Sequence, residues 1–174
     1  MKRLTGITIL VIIIFMAGES TMAQNLKFGH INSDELIQAL PSFDSAQVKL
    51  EKFRTELINY LELMYSEMNN KKDVYNKENK NLSDVVRQSK EMELNDMNTR
   101  IQKFQATAQT QLEEKQAELF NPISAKVDKA IKDVGKENGF LYIFDISPGA
   151  ILLYYDELKS TDITTLVKAK LKIK

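Results

Sequence analysis

The chain has no cysteine, no tryptophan and one histidine among its 174 residues, with only three prolines and six glycines. Without cysteine there are no disulfides and no thiolate metal sites, so the fold must hold without covalent staples. His30 is the only histidine, which excludes a two-histidine metal site within one chain. It sits among apolar strand residues and lacks catalytic partners, so it reads as a packed or hydrogen-bonded core histidine. No glycine lies between Gly29 and Gly135, so there is no glycine-rich phosphate loop. Charge of either sign is not in excess, with 24 basic and 24 acidic side chains. That balance argues against nucleic-acid binding through a general basic field. The acidic residues alternate with Lys and Arg and read as solvated helix faces. No catalytic, metal or cofactor-binding residues are expected, and the chain is not read as an enzyme.

The sparsest feature is punctuation. Between Pro41 and Pro122 eighty residues pass without one glycine or proline. They are rich in Lys, Glu, Gln, Asn, Leu and Met, so long helix is the expectation. A helix of that length exceeds what a compact domain of this size encloses. It must project, pair with itself, or pair with other chains.

The first 23 residues are set aside as an export signal. Lys2 and Arg3 form a positive start, Leu4 to Phe15 an apolar run, and Thr21-Met22-Ala23 a small-residue cleavage site, making Gln24 the mature N-terminus. A membrane anchor is the alternative, but the run is shorter than the roughly 20 residues a span needs. No cysteine follows it to carry a lipid. The mature chain then holds 22 basic against 23 acidic residues, a net charge of −1.

Leu26–Ile31 reads as a strand. Asn32 is a helix cap with Glu35 reaching back, and Leu36, Ile37 and Leu40 give that short helix an apolar stripe ended or bent by Pro41. A seam follows in Leu50, Phe53, Leu57, Leu61, Met64, Met68, Tyr75 and Leu82, with polar residues around Lys71 and Glu78. A second runs through Leu94, Met97, Ile101, Phe104, Ala108 and Leu112, and on through Leu119, Ile123, Val127, Ile131 and Val134. Asn138-Gly139 is a helix stop. Two seams with a polar middle suggest an antiparallel hairpin over residues 44–138. Symmetry places its tip near residue 91, within Ser83–Glu93. Arms of about 45 residues would each reach on the order of 65 Å. The rival is one rod of about 140 Å. The hairpin is favoured because the flanking strands need to meet.

Beyond Gly139 the period becomes that of strands. Phe140–Phe144 and Ala150–Tyr155 flank a Ser147-Pro148-Gly149 turn. Phe140, Tyr142 and Phe144 are expected on one face, Leu141 and Ile143 on the other. A last helix, capped by Thr161 or Asp162, adds Ile163, Leu166, Val167 and Leu171. Both strands are apolar on both faces, and residues 24–43 with 139–174 are too few to cover them. Oligomerisation through this small β body is therefore expected. Its candidate residues are Phe28, Ile31, Phe140, Tyr142, Phe144, Ile151, Leu153 and Tyr155.

The arms offer candidate contacts for a bound chain. Phe53, Met64, Tyr65, Met68, Met97 and Phe104 read first as seam packing, and the second reading is that some of them serve as adaptable contacts. Tyr75, Leu82, Val85, Val86 and Met92, nearest the tip, are the better functional candidates. Between Lys71 and Lys90 six cations (Lys71, Lys72, Lys77, Lys80, Arg87 and Lys90) face three acids (Asp73, Glu78 and Asp84), a local net of +3. That is either ordinary surface charge or an attraction for anionic partners. Pro122 removes one helix hydrogen bond and is either a fixed bend or a hinge.

Along its whole mature length the chain resembles the Skp/OmpH family of bacterial periplasmic chaperones. The resemblance is carried by Lys27-Phe28-Gly29-His30-Ile31-Asn32-Ser33-Asp34-Glu35-Leu36-Ile37-Gln38-Ala39-Leu40-Pro41, by Phe140–Tyr155, and by Asp162-Ile163-Thr164. It implies a mainly α fold with a small β body: a homotrimer whose strands join centrally and whose three helical-hairpin tentacles surround a cavity. Unfolded outer-membrane proteins would be held there without ATP. The near-neutral mature chain argues against the large electrostatic contribution and the lipopolysaccharide binding associated with the family. Any membrane-surface contact is expected to be indirect. The alternative function is a structural coiled-coil spacer of the cell envelope that ignores unfolded chains.

Overall fold

A computed structural model describes residues 26–173. The expected export signal and its cleavage point lie outside these residues. Strand β1 (Phe28–Ile31) alternates between two environments, turning Gly29 and Ile31 into the core and Phe28 and His30 away from it. Asn32 then caps helix α1 (Ser33–Gln38), its Oδ1 accepting from the Glu35 N–H at 3.2 Å. The Asn32 side-chain amide in turn donates to Glu35 Oε1 at 2.9 Å, so the two side chains hold each other at the helix start.

Pro41 ends α1 by opening the next helix. It is the first residue of α2 (Pro41–Glu78), where its missing N–H has no helical partner to lose. Helix α2 has 38 residues and α3 (Asp84–Glu137) has 54, lengths of about 57 and 81 Å at 1.5 Å per residue. They form the antiparallel hairpin, and the continuous rod is excluded. Phe43 meets Phe120 at the base (5.4 Å between ring centroids) and Tyr60 meets Phe104 midway (4.9 Å).

The hairpin reverses at Asn79–Ser83, ahead of the Ser83–Glu93 window expected from symmetry. The arms are unequal, so symmetry misplaces the turn: past Phe120, helix α3 continues beneath the sheet instead of along α2. A 3₁₀ turn over Asn79–Asn81 and an extended Ser83 (φ −66°, ψ 156°) make the reversal. Asn and Ser supply it without glycine.

Helix α3 continues unbroken through Pro122 and ends in a Schellman motif. Phe140 N–H bonds Gly135 C=O (3.0 Å), Gly139 N–H bonds Lys136 C=O (3.4 Å), and Gly139 takes the left-handed φ of 69°. This cap delays strand β2 to Tyr142–Asp145 and corrects the expected facing of Phe140. Phe140 packs on the core side, near Gly29 and Ile163, while Tyr142 and Phe144 lie on the other face with Phe28.

The expected strand over Ala150–Tyr155 is also corrected. Ser147–Gly149 does turn, with Ala150 N–H bonding Ser147 C=O at 2.9 Å, but no ladder follows. The third strand is β3 (Ser160–Asp162), and the sheet order is β2-β1-β3, with β1 parallel to both neighbours. Residues between β2 and β3 must cross from one edge of β1 to the other, so they cannot double back on β2. Asp162 Oδ1 then accepts from Thr164 N–H (2.8 Å) and opens α4 (Thr164–Leu171). Neither capping candidate is the N-cap residue, which is Ile163; Asp162, the last residue of β3, bonds Thr164 N–H from the position before it.

One face of the sheet carries the core. Ile31 and Ile163 meet Leu36 and Leu40 from the α1 segment, Val127 and Val134 from α3, and Val167 from α4. Helix α3 approaches closely at Gly135, where an added Cβ would sit 2.9 Å from Ile143 Cδ1. At the end of β2, Asp145 accepts from Ser147 N–H (2.9 Å) and Oγ (2.5 Å) and from Ser33 N–H (3.3 Å) and Oγ, tying β2 to the start of α1. Partial burial pushes this carboxyl up, but the bonds from Ser147 and Ser33 outweigh it and hold it below the usual carboxylate range.

Two outcomes are expected. Gly135→Val overpacks the helix–sheet contact and lowers stability by about 1–3 kcal/mol in urea unfolding. Gly135→Ala costs less, because the tip of Ile143 can move. A depressed folded pKa contributes stability that is present above the unfolded value and lost as pH falls through the folded one. Unfolding midpoints should therefore drop below about pH 4, and Asp145→Asn should flatten that acid limb while lowering stability at neutral pH.

Candidate functional site

Two surfaces stand out, the arms and the uncovered face of the sheet. A hairpin helix has one neighbour, so most seam residues are half-buried. In the arms beyond the base only Met97 and Ile101 are fully enclosed. Beyond Met97 the seam becomes polar. Lys71 bonds Glu93, Tyr75 OH donates to Glu91 Oε1 at 2.5 Å, and Lys90 lies 3.8 Å from Glu78. The bond to Glu93 raises the Lys71 ammonium, and the same bond holds the Glu93 carboxyl below its usual range. These groups are solvated, so they set register more than stability.

The tip candidates divide accordingly. Lys71, Tyr75 and Lys90 face the opposite arm, and Arg87 pairs with Asp84 (3.4 Å) and donates to Leu82 C=O (3.3 Å). Leu82 is half-buried in the turn. Lys72, Lys77, Lys80, Val85, Val86 and Met92 project into solvent. Val85 (78% exposed) and Met92 (56%) are seven residues apart on one helical face.

A groove lies nearer the base, unforeseen from the seam alone. Ile58 and Phe104 line about 310 Å³ with Arg54, Gln105, Ala108 and Gln109. Tyr65, one helical repeat beyond Ile58, accepts a bond from Gln105 Nε2 at 3.1 Å. The seven-residue spacing of Ile58 and Tyr65 outside the main seam was the available signal. Pro122 lies on the exposed side of α3, next to buried Ile123.

On the body, Phe28, Tyr142 and Phe144 stack within 6.2–6.4 Å on the face away from the helices. Tyr155 leans on His30 (4.7 Å), and His30 Nδ1 shares a 2.9 Å hydrogen bond with Ser160 Oγ. Tyr142 is 59% exposed, and in the following segment Ile151 and Leu153 are 96% and 100% exposed. Tyr154 and Leu158, also exposed, extend this apolar strip beyond the residues expected. Ile31 and Phe140 belong instead to the helix-covered side.

Among the described residues no group of three His, Asp or Glu side chains is placed to hold a metal, and no helix is long and apolar enough to cross a membrane. A family model described as outer membrane protein (OmpH-like) matches residues 27–171. Comparison with curated proteins gave no match.

Because the outer arm lacks enclosed apolar side chains, its order depends on Ile101 and Met97. Ile101→Ala should cost about 2–5 kcal/mol locally. Amide exchange should accelerate over the outer arm and turn, while β1 and α4 keep their protection.

Proposed function

We propose, given that the chain belongs to the OmpH-like family of periplasmic outer-membrane-protein chaperones, that it is an ATP-independent holdase working as a homotrimer. The family is one of chaperones rather than enzymes. In this reading residues 24–43 and 139–174 form the trimerising body and 44–138 the tentacle. Unfolded outer-membrane β-barrel precursors are enclosed between three tentacles and kept from aggregating.

The carrying observation is the uncovered aromatic face with its apolar strip. Phe28, Tyr142 and Phe144 lie on the sheet face opposite the core formed with the described helices, and Ile151, Leu153 and Tyr154 follow them into solvent. Burying such side chains is worth about 1.5–3 kcal/mol each, which strongly favours covering them with copies of the chain. Three hairpins fixed at one body then face one another. Each offers weak contacts through Lys72, Lys77, Lys80, Val85, Val86 and Met92, and their combined action retains a client that stays mobile. Enclosure also separates the unpaired strand edges from which aggregation starts. Pro122, at the junction of arm and body, is the proposed hinge.

Light scattering on the chain from Gln24 should give three times the monomer mass. Tyr142→Glu with Leu153→Glu should yield folded monomers, because both side chains are exposed within one chain. The trimer should keep a urea-diluted β-barrel protein soluble, whereas the monomeric variant should not. A monomeric wild type, or a trimer that ignores unfolded chains, would overturn the reading and leave a structural spacer. Val85→Ser with Met92→Ser should weaken retention more than added salt does if capture is apolar.

A further inference from the structure

The one histidine of the chain stands on the uncovered face of the sheet. Along β1, Gly29 and Ile31 turn to the core, while Phe28 and His30 turn the other way. Parallel register sets Phe144 of β2 on one side of His30 and Asp162 of β3 on the other. The aromatic patch of Phe28, Tyr142 and Phe144 thus ends at His30. Beyond it begins a polar column, Ser160 and Asp162.

His30 Nδ1 is hydrogen-bonded to Ser160 Oγ at 2.9 Å, and Tyr155 leans over the ring at 4.7 Å from the crossover. No buried side-chain nitrogen or oxygen among the described residues lacks a partner. Nε2 has no partner there, so it meets solvent. The groups around the ring are few. Strand β2 presents Phe144, which does not titrate, and the crossover presents Tyr155. Asp156, beside Tyr155, is held by Lys159 at 3.4 Å. From β3 the facing acid is Asp162. Its carboxyl is held below the usual range first by the bonds from Thr164 and more weakly by His30. Asp162 and His30 form no ion pair among the described residues.

Histidine is the side-chain type that changes charge between about pH 5 and 8, and this chain has only one. A neutral ring can enter an apolar contact, with Nδ1–H donating to Ser160 Oγ and Nε2 left as a bare acceptor. A protonated ring carries a second N–H and a full charge, and an apolar cover removes their water without replacing it. Asp162 pulls the other way. Its carboxylate is already engaged by Thr164 and does not pair with the ring, so it does not make good the lost hydration. Protonation therefore favours the open face over the covered one.

We propose, on the homotrimer reading given above, that His30 makes assembly of the body pH-sensitive, its protonation weakening the contact between copies across the aromatic face. Assembly favours the neutral ring, so it is complete above the interval in which His30 titrates and is lost as pH falls through it. A mild fall in pH would then free a held client by parting the three arms, without ATP and without altering the arms themselves.

The test is light scattering on a dilution series of the chain from Gln24, at about pH 7.5 and about pH 5.5. The concentration for half-assembly should rise at least about tenfold at the lower pH, with circular dichroism unchanged. His30→Gln keeps an amide able to bond Ser160 and carries no charge, so it should assemble alike at both values. The wild type gives a second reading through the nuclear magnetic resonance signal of its single imidazole. That signal should titrate at lower pH as protein concentration is raised, because assembly and protonation oppose each other. A trimer that persists equally at both pH values overturns the proposal and leaves the trimer reading standing. So does a His30→Gln trimer with the wild-type pH dependence, or an imidazole titration independent of concentration. Loss of the trimer together with its helical signal also overturns it, in favour of acid unfolding. A wild type already monomeric at the higher pH overturns the trimer reading, and the His30 switch with it.

Discussion

The parallel pairing of β1 with both β2 and β3 is the constraint on which the rest of the molecule depends. Four residues, Phe28–Ile31, receive one strand on each edge, and both arrive from distant parts of the chain. Parallel neighbours cannot be joined by a tight turn. The connection from β1 to β2 is the whole helical hairpin, and that from β2 to β3 is the exposed crossover past Tyr155. Projection and exposed strip are two consequences of one topology. Gly29 and Gly135 permit it, one beneath Phe140 and Ile163 and the other beneath Ile143. Asp145 fastens the far end of β2 to α1 through Ser33 and Ser147.

Along the arms the seam shifts from apolar to polar. At the base Phe43 and Phe120 meet, midway Tyr60 and Phe104, and beyond Met97 paired charges and a tyrosine–glutamate bond join the helices beside half-buried Leu94. Solvated pairs of this kind hold two helices in register with little depth of stability. A gradient of this form suits a structure anchored at one end and adaptable at the other. Exposed Val85 and Met92 sit at the adaptable end.

Charge follows a separate pattern. The cations of the arms include every arginine of the described chain, while the body surface over α3 and α4 is served by lysine. The aromatic sheet face and this lysine face are distinct features of the body. The first is apolar and largely uncovered among the described residues, the second is cationic and solvated. A near-zero total thus conceals two local fields, and net charge alone says little about either.

Much of this was legible in the residues themselves. Asn32 with Glu35, Pro41 and Asn138-Gly139 mark helix ends through local backbone chemistry, and each is found where that chemistry places it. The absence of Gly and Pro over eighty residues, with three-and-four apolar spacing, dictates long paired helices. Such signals act within one or two turns and need no distant partner. The tertiary structure decided what local signals cannot carry. It set the reversal at Asn79–Ser83, because the length of α3 beneath the sheet determines how much remains to pair with α2. It turned Phe140 toward the core, because the Schellman cap postpones the strand. It made residues 150–155 a crossover, although their composition suits a strand, because β3 pairs on the opposite edge of β1. Strand partners and helix register are chosen by contacts far apart in sequence, and those energies exist only once the chain has closed on itself.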